Sequence, residues 1–316
     1  MDEPPVTRVR WSSVPSTVRT DVEKRLGARV RSAEDQSGGF SHGVAARLFL
    51  EDGSSVFVKA IDDTDELAVT YRKESNTAAA LPHDVPTPRH RHGWAVDGWF
   101  VACFDDVTGR HPRLDDPGEL GAVLATVTRL AETLTPCPLP DVPTFLDHYG
   151  PALAIWAAFA ANGPPPDLDT WCRANLDRLA GIESAWHGFA RGNTLLHTDL
   201  RPDNMIRRAD GSVVVVDWAW PCRGAAWIDL IGLAPSLVRA GTDPDPLLAS
   251  HSTTREVDPV AIDGLVCALA GYWTSQCRLP APPRSPRLRR YQAEAAELTT
   301  TWLRRRLSAG TRTPRS

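Results

Sequence analysis

The chain has 316 residues, 42% of them hydrophobic, and a formal net charge of −4. That length and apolar share suit two lobes with buried cores and exclude an intrinsically disordered chain, while the mild acidity gives no general attraction to nucleic acid. The longest apolar run, 152–161, is too short to span a bilayer, and residues 1–5 are acidic and proline-rich rather than a secretory leader, so a cytoplasmic protein without nucleic-acid or membrane partners is expected.

Six cysteines are widely spread with no C-x-x-C pair, which reads as reduced thiols rather than a disulfide framework or a zinc site. Among 35 basic residues only three are lysines, Lys24, Lys59 and Lys73. A chain that uses arginine wherever either cation would serve keeps a lysine for a reason.

In chain order, Val18, Val22 and Leu26 stand at helical spacing and predict a helix over 16–26. The string Ser37-Gly38-Gly39-Phe40-Ser41-His42-Gly43 reads as a flexible turn, and the β-like runs 44–50 and 55–61 meet across Glu51-Asp52-Gly53-Ser54 as a hairpin. A glycine-bearing turn in this position can lay backbone N–H groups over phosphates, which makes Gly38, Gly39 and Ser41 candidates for nucleotide contact. Alternation in the second run puts Phe57, Lys59 and Ile61 on one face. An ammonium on an otherwise apolar face needs an anionic partner.

The next helix is expected to open at 62–64, with Asp63 and Glu66 as a capping box. Its apolar stripe, Leu67, Tyr71, Ala78 and Leu81, has Glu74 in the gap, so Glu74 lies on the buried face. Glu66 shares its face with Thr70, Lys73 and Thr77, which makes Glu74 the better partner for Lys59. His83, His90 and His92 cluster in a Pro-rich stretch, for which a solvated loop is a simpler reading than a metal site, and a strand pair 92–95 and 98–104 follows, turning at Asp97-Gly98.

A helix is predicted over 117–134, ended by Pro136 and Pro138. Residues 141–190 are again helical, broken at Gly163-Pro164-Pro165-Pro166, and carry six acids: Asp141, Asp147, Asp167, Asp169, Asp177 and Glu183. Acids suit a polycationic ligand, the aromatics among them suit a flat or apolar one, and solvated helix faces over an aromatic core account for both equally well. Residues 258–307 close the chain with helices; a solvated helix face explains their clustered arginines at least as well as an anion-binding patch, and the tail after Ala309 reads as loose.

The densest information lies between Leu195 and Trp218. The apolar pair Leu195-Leu196 leads into a loop holding Asp199, and four residues separate Asp199 from Asn204. The runs 205–208 and 212–216 flank an Asp210-Gly211 turn as a hairpin, and Asp217 emerges at the end of the strand whose partner begins beside Asn204. Asp199, Asn204 and Asp217 can therefore meet on one edge of a small sheet. Phosphoryl transfer from ATP needs such a set: one carboxylate accepts the proton of the attacking hydroxyl, and an Asn and another carboxylate hold Mg²⁺ against the phosphates.

His197-Thr198-Asp199-Leu200-Arg201-Pro202-Asp203-Asn204, followed by Val216-Asp217-Trp218, resembles the signature of the aminoglycoside phosphotransferase family. The resemblance implies an α+β, protein-kinase-like two-lobed fold: an N-terminal nucleotide-binding lobe at 1–104, a hinge at 105–109, and a catalytic, acceptor-binding lobe at 110–316. It implies ATP and Mg²⁺ as cofactors and a hydroxyl of a small molecule as acceptor. Asp199 takes the place of the catalytic base, Asn204 and Asp217 of the metal ligands, and Lys59, held by Glu74, of the phosphate-binding lysine. Asp229, in Ala225-Ala226-Trp227-Ile228-Asp229-Leu230, stands where a buried Asp braces the catalytic loop, and His197 supports the same loop. The family usually has Gly where this chain has Thr198 and often His where it has Arg201. A kinase acting on Ser or Thr of a peptide, which a wider and more open cleft would favour, and a non-catalytic nucleotide-binding module are the alternatives.

Overall fold

In the computed structural model, residues 8–36 and 38–309 are described. The readings placed on residues 1–5, on Ser37 and on the tail after Ala309 lie outside the described residues.

The N-terminal part opens with α1 (Ser16–Leu26) and continues through β1 (Val30–Asp35), β2 (Val44–Leu50), β3 (Ser55–Asp62), α2 (Ala68–Ala80), β4 (His90–Val96) and β5 (Trp99–Asp105). The five strands form one antiparallel sheet in the order β1-β2-β3-β5-β4. Both faces are covered. Val44, Ala46, Leu48, Val56, Val58 and Val101 pack with Val18 and Val22 of α1, while Ile61, Phe100, Ala102 and Phe104 pack with Tyr71 and Ala78 of α2. The period-2 alternation of β3 thus decides that Lys59 faces the α2 side of the sheet.

Two expectations are corrected here. The helix opens at Ala68, not at 62–64, and no side chain caps its first turn. Asp62 and Asp65 instead accept the N–H groups of Thr64 and Leu67, each at 2.9 Å, and close local turns that hold 62–67 out of the helix. Asp63 pairs with Arg72, so the capping box with Glu66 does not form. β4 begins at His90, two residues before the expected start at His92, so His90 lies on the strand rather than in a loop, and its Nε2 bonds the Ser75 hydroxyl at 2.8 Å.

The remainder is mainly helical. α3 (Pro117–Thr133) starts on Asp116, whose carboxylate accepts the N–H groups of Gly118 and Glu119 at 2.9 and 3.0 Å. Short helices follow: α4 (Phe145–Tyr149), α5 (Ile155–Asn162), α6 (Thr170–Ala174) and α7 (Leu176–Ile182). Four short strands then form two ladders: β6 (Thr194–Leu196) pairs with β9 (Cys222–Gly224), and β7 (Met205–Arg207) with β8 (Val213–Val215). The β7–β8 hairpin turns at Gly211, whose φ of +85° is open to glycine. The chain ends with α8 (Trp227–Arg239), α9 (Pro244–Ser250), α10 (Pro259–Gln276) and α11 (Leu288–Ala309) around a core that includes Trp156, Trp186, Trp218 and Trp302. Among the described residues no helix is long and apolar enough to cross a membrane.

Candidate active site

The site is assembled from four segments of the chain. β3 supplies Lys59, α2 supplies Glu74, and the two loops after β6 and β8 supply the remaining polar groups. Lys59 Nζ donates to both carboxylate oxygens of Glu74 at 2.7 Å and lies 3.3 Å from Asp217 Oδ1. Glu74 is buried at 6% exposure, on the same side of α2 as Tyr71 and Ala78. Burial pulls the Lys59 ammonium down, but the charges of Asp217 and Glu74 outweigh it and hold the group above the ordinary lysine range. Burial raises the Glu74 carboxyl to about 7 against the opposing charge of Lys59. Asp217 goes the other way: despite desolvation, Lys59 keeps its carboxyl below the usual range.

The catalytic-loop candidates are held by their own backbone. Asn204 Nδ2 donates to the carbonyl and to Oδ2 of Asp199, both at 2.9 Å. Asp199 Oδ1 lies 3.5 Å from Arg201 Nε, and the side chain is 41% exposed to the cleft. Desolvation by the cleft walls is the largest influence on this carboxyl; Arg201 opposes it, Asp217 and Asp203 add to it, and the group is pushed up to about 6.

Beneath the loop, the Asp229 carboxylate accepts the N–H groups of His197 and Thr198, each at 2.8 Å. His197 Nε2 donates to the Val216 carbonyl at 2.9 Å, while its Nδ1 faces the Asp199 N–H at 3.3 Å. That pattern fixes a neutral tautomer, in keeping with burial lowering its pKa, and packs the ring edge-on to Trp218 at 4.7 Å.

Within the glycine turn, the Gly38 carbonyl and the Ser41 hydroxyl are held by neighbouring side chains. The Arg8 guanidinium donates to the Gly38 carbonyl at 3.0 Å and to Ser41 Oγ at 3.1 Å, and Tyr71 of α2 reaches the same hydroxyl at 3.2 Å. Gly39 has φ +79° and so needs glycine's freedom. Phe40, at the tip, packs on Tyr291 of α11 at 5.4 Å.

Three features escaped sequence reasoning. Arg8, outside every motif, ties down the glycine turn. Arg201 is only 11% exposed, lies between Asp199 and Asp203, and stacks over Phe40 and Tyr291 at 5.1 and 5.4 Å. Thr198 has φ +65°, a left-handed backbone that β-branched residues rarely adopt and that costs about 1–3 kcal/mol. This gives a physical reason for the glycine usual there in the resembled family. Here the threonine is held by Asp229 and by its hydroxyl, which donates to the Trp220 carbonyl at 2.6 Å and accepts from Tyr149 at 3.2 Å. The departures at Thr198 and Arg201 were visible in the sequence; their partners were not.

The acids of 141–190 do not converge on this site. Glu183 is 2% exposed and accepts the N–H groups of Ile155, Trp156 and Ala157 at 2.8, 2.9 and 3.0 Å, capping α5. Asp169 caps α6 and pairs with Arg304, Asp167 pairs with Arg278, and Asp147 bonds Thr144 at the start of α4. Asp141 and Asp177 are exposed.

A five-stranded antiparallel sheet and a helical lobe, with a Lys–Glu pair set against a D-x-x-x-x-N loop and a second Asp, define a kinase-like α+β fold. The chain belongs to the phosphotransferase enzyme family, whose model matches residues 38–258, and it is a phosphotransferase. Against curated protein sequences it has no significant match. Among solved structures it is similar to a thermostable aminoglycoside phosphotransferase APH(4)-Ia in ternary complex with AMP-PNP and hygromycin B, with a TM-score of 0.61 at 14% identity over 94% of this chain and 100% of that one. Choline kinase LicA from Streptococcus pneumoniae has a TM-score of 0.59 at 12% identity over 91% and 98%. The GDP and kanamycin complex of APH(2")-IIia has a TM-score of 0.57 at 14% identity over 92% and 98%. At these identities the likeness shows the shared fold.

Proposed function

We propose that the protein transfers a phosphoryl group from ATP, with Mg²⁺, to a hydroxyl of a small molecule. The observation that carries this reading is the meeting of Lys59, Glu74 and Asp217, from three distant parts of the chain, beside the loop that locks Asn204 onto Asp199. In this reading residues 1–104 form the nucleotide lobe, 105–109 the hinge and 110–316 the catalytic lobe. The free cysteines agree with a cytoplasmic setting.

Each residue then has separable work. Asn204 takes one oxygen of Asp199, which leaves Oδ1 to receive the proton of the attacking hydroxyl. A carboxyl pushed up to about 6 is ionised at neutral pH and still basic enough to accept that proton. Lys59, fixed by Glu74, aims a compact positive charge at the phosphates. Arg8, Tyr71 and Phe40 hold the glycine turn shut above them.

The donor set fits Mg²⁺. With Nδ2 committed to Asp199, the Asn204 carbonyl oxygen is turned away from that carboxylate, and Asp217 adds an anionic oxygen. Mg²⁺ is held by one or two such groups plus phosphate oxygens and water, so no cluster of three acids is required. Bound there, it would neutralise charge on the phosphates.

The test is a screen of hydroxyl compounds for Mg·ATP-dependent ADP release, confirmed by the mass of the product. A product gaining one phosphoryl group is expected. ATP-independent behaviour, or ADP release unaffected by Asp199→Asn, would refute the reading.

A further inference from the structure

The two sides of Asp199 are built differently. On one side Arg201 stacks between Phe40 and Tyr291, and the Ser285 hydroxyl donates to the Phe40 carbonyl, so the glycine turn is shut against α11. On the other side stands Trp220, three residues beyond Asp217, with its side chain 42% exposed. Its backbone is not free: the Thr198 hydroxyl holds the Trp220 carbonyl at 2.6 Å, directly beside the base. Of the non-glycine residues with positive φ among those described, Asp97, Thr198 and Asp217, only Thr198 is β-branched. Strain kept at such a position marks a constraint that glycine would not supply.

Lys73 lies over the Trp220 ring, 5.5 Å from its centroid. It extends from α2, next to Glu74, and so bridges the two lobes at this edge. Among the described residues no carboxylate comes within ion-pair distance of Lys73, whereas Lys59 has both Glu74 and Asp217. Two of the three lysines, Lys59 and Lys73, therefore stand at the cleft, one paired with acids and one not. Burial and the charge of Lys73 lower the pKa of His148, beside Tyr149. Of the acids in 141–190, Glu183 and Asp169 serve helix ends and Asp167 pairs with Arg278, while Asp141 and Asp177 are exposed.

We propose that Trp220 and Lys73 form the rim that receives the acceptor, and that this acceptor is a ring-bearing alcohol carrying negative charge rather than a polycation. The inference rests on the reading of Asp199 as the base. The indole offers a flat face for a ring, and the unpaired ammonium at its edge favours a carboxylate or phosphate on that ring. Thr198 acts as a positioning residue, holding Trp220 at a fixed height relative to the base.

The experiment uses three ring alcohols that differ in charge: 4-(hydroxymethyl)benzoate, benzyl alcohol and 4-(aminomethyl)benzyl alcohol. Initial rates of Mg·ATP-dependent ADP release above the water background are compared in the parent protein, Lys73→Glu and Trp220→Ala. The parent should rank anionic, then neutral, then cationic, with steps on the order of tenfold for one charge a few ångströms from the ammonium. Lys73→Glu should reverse that order, and Trp220→Ala should lower all three; because the ranking is taken within one variant, general damage to the fold cancels. A cationic preference in the parent, or no difference among the three including background rates throughout, overturns the proposal. Background ADP release in parent and Asp199→Asn is read separately: its survival in Asp199→Asn overturns the base assignment, whereas its loss together with equal acceptor rates overturns the rim alone.

Discussion

The loop from His197 to Asp217 and the segment 141–190 are both rich in acids, yet they use them in opposite ways. In the loop, Asp199 and Asp217 keep 41% and 40% of their side chains open to the cleft, and each faces a cation and another polar group rather than a helix end. In 141–190, Glu183 is sealed under three N–H groups of α5, and Asp169 serves α6. A carboxylate that satisfies a helix N-terminus has its lone pairs committed; one poised over a cleft keeps them for a ligand. Composition treats the two segments alike, whereas the structure commits Glu183 and Asp169 to helix ends and Asp167 to Arg278 and leaves Asp141 and Asp177 exposed.

The sharpest way to break this comparison is Asp199→Asn. Turnover should fall by roughly 10²–10⁴-fold, the usual worth of a positioned proton acceptor, with Mg·ATP affinity nearly unchanged. Asp217→Asn should weaken Mg²⁺-dependent nucleotide binding as well, with partial recovery at high Mg²⁺. Calorimetry beside steady-state rates separates the two, and an affinity loss confined to the Asp199 variant would reverse their roles.

Next in size is Lys59→Arg. The planar fork cannot reproduce a point charge held by both oxygens of Glu74, so transfer should drop at least about tenfold while thermal unfolding stays close to the parent. A parental rate would remove Lys59 from the phosphate site.

Glu183→Gln tests the other half of the comparison. It loses a charge that accepts three buried N–H groups, and stability should fall by about 1–3 kcal/mol. Denaturant unfolding measures this; kcat and both KM values of the folded fraction should not move. A raised acceptor KM without a loss of stability would return Glu183 to the acceptor site.

The smallest expected effect is a pH shift. Because only ionised Asp199 accepts a proton, kcat/KM should fall tenfold per unit below about pH 6 and level off above it. Arg201 lowers this carboxyl and Asp203 raises it, so Arg201→Gln should move the limb to higher pH and Asp203→Asn to lower pH, each by up to about one unit. Movement of both variants in the same direction would show that the limb belongs to another group.

By itself, the sequence determined whatever depends on local periodicity. The period of 2 in β3 and the steps of 4 and 3 in α2 set the facing of Lys59 and Glu74, and the Asp210-Gly211 turn brought Asp217 back toward Asn204. The start of α2 departs from the expected Asp63–Glu66 capping box because Asp62 and Asp65 close local turns and Asp63 pairs with Arg72. Tertiary structure alone decided the partners that join distant segments: Arg8 with the glycine turn, Arg201 with Phe40 and Tyr291, Thr198 with Trp220, and Glu183 with α5. No spacing encodes those contacts, since each depends on how two separately formed elements dock. A single polar residue has the same local sequence signature whether it is buried against a helix end or left facing a substrate.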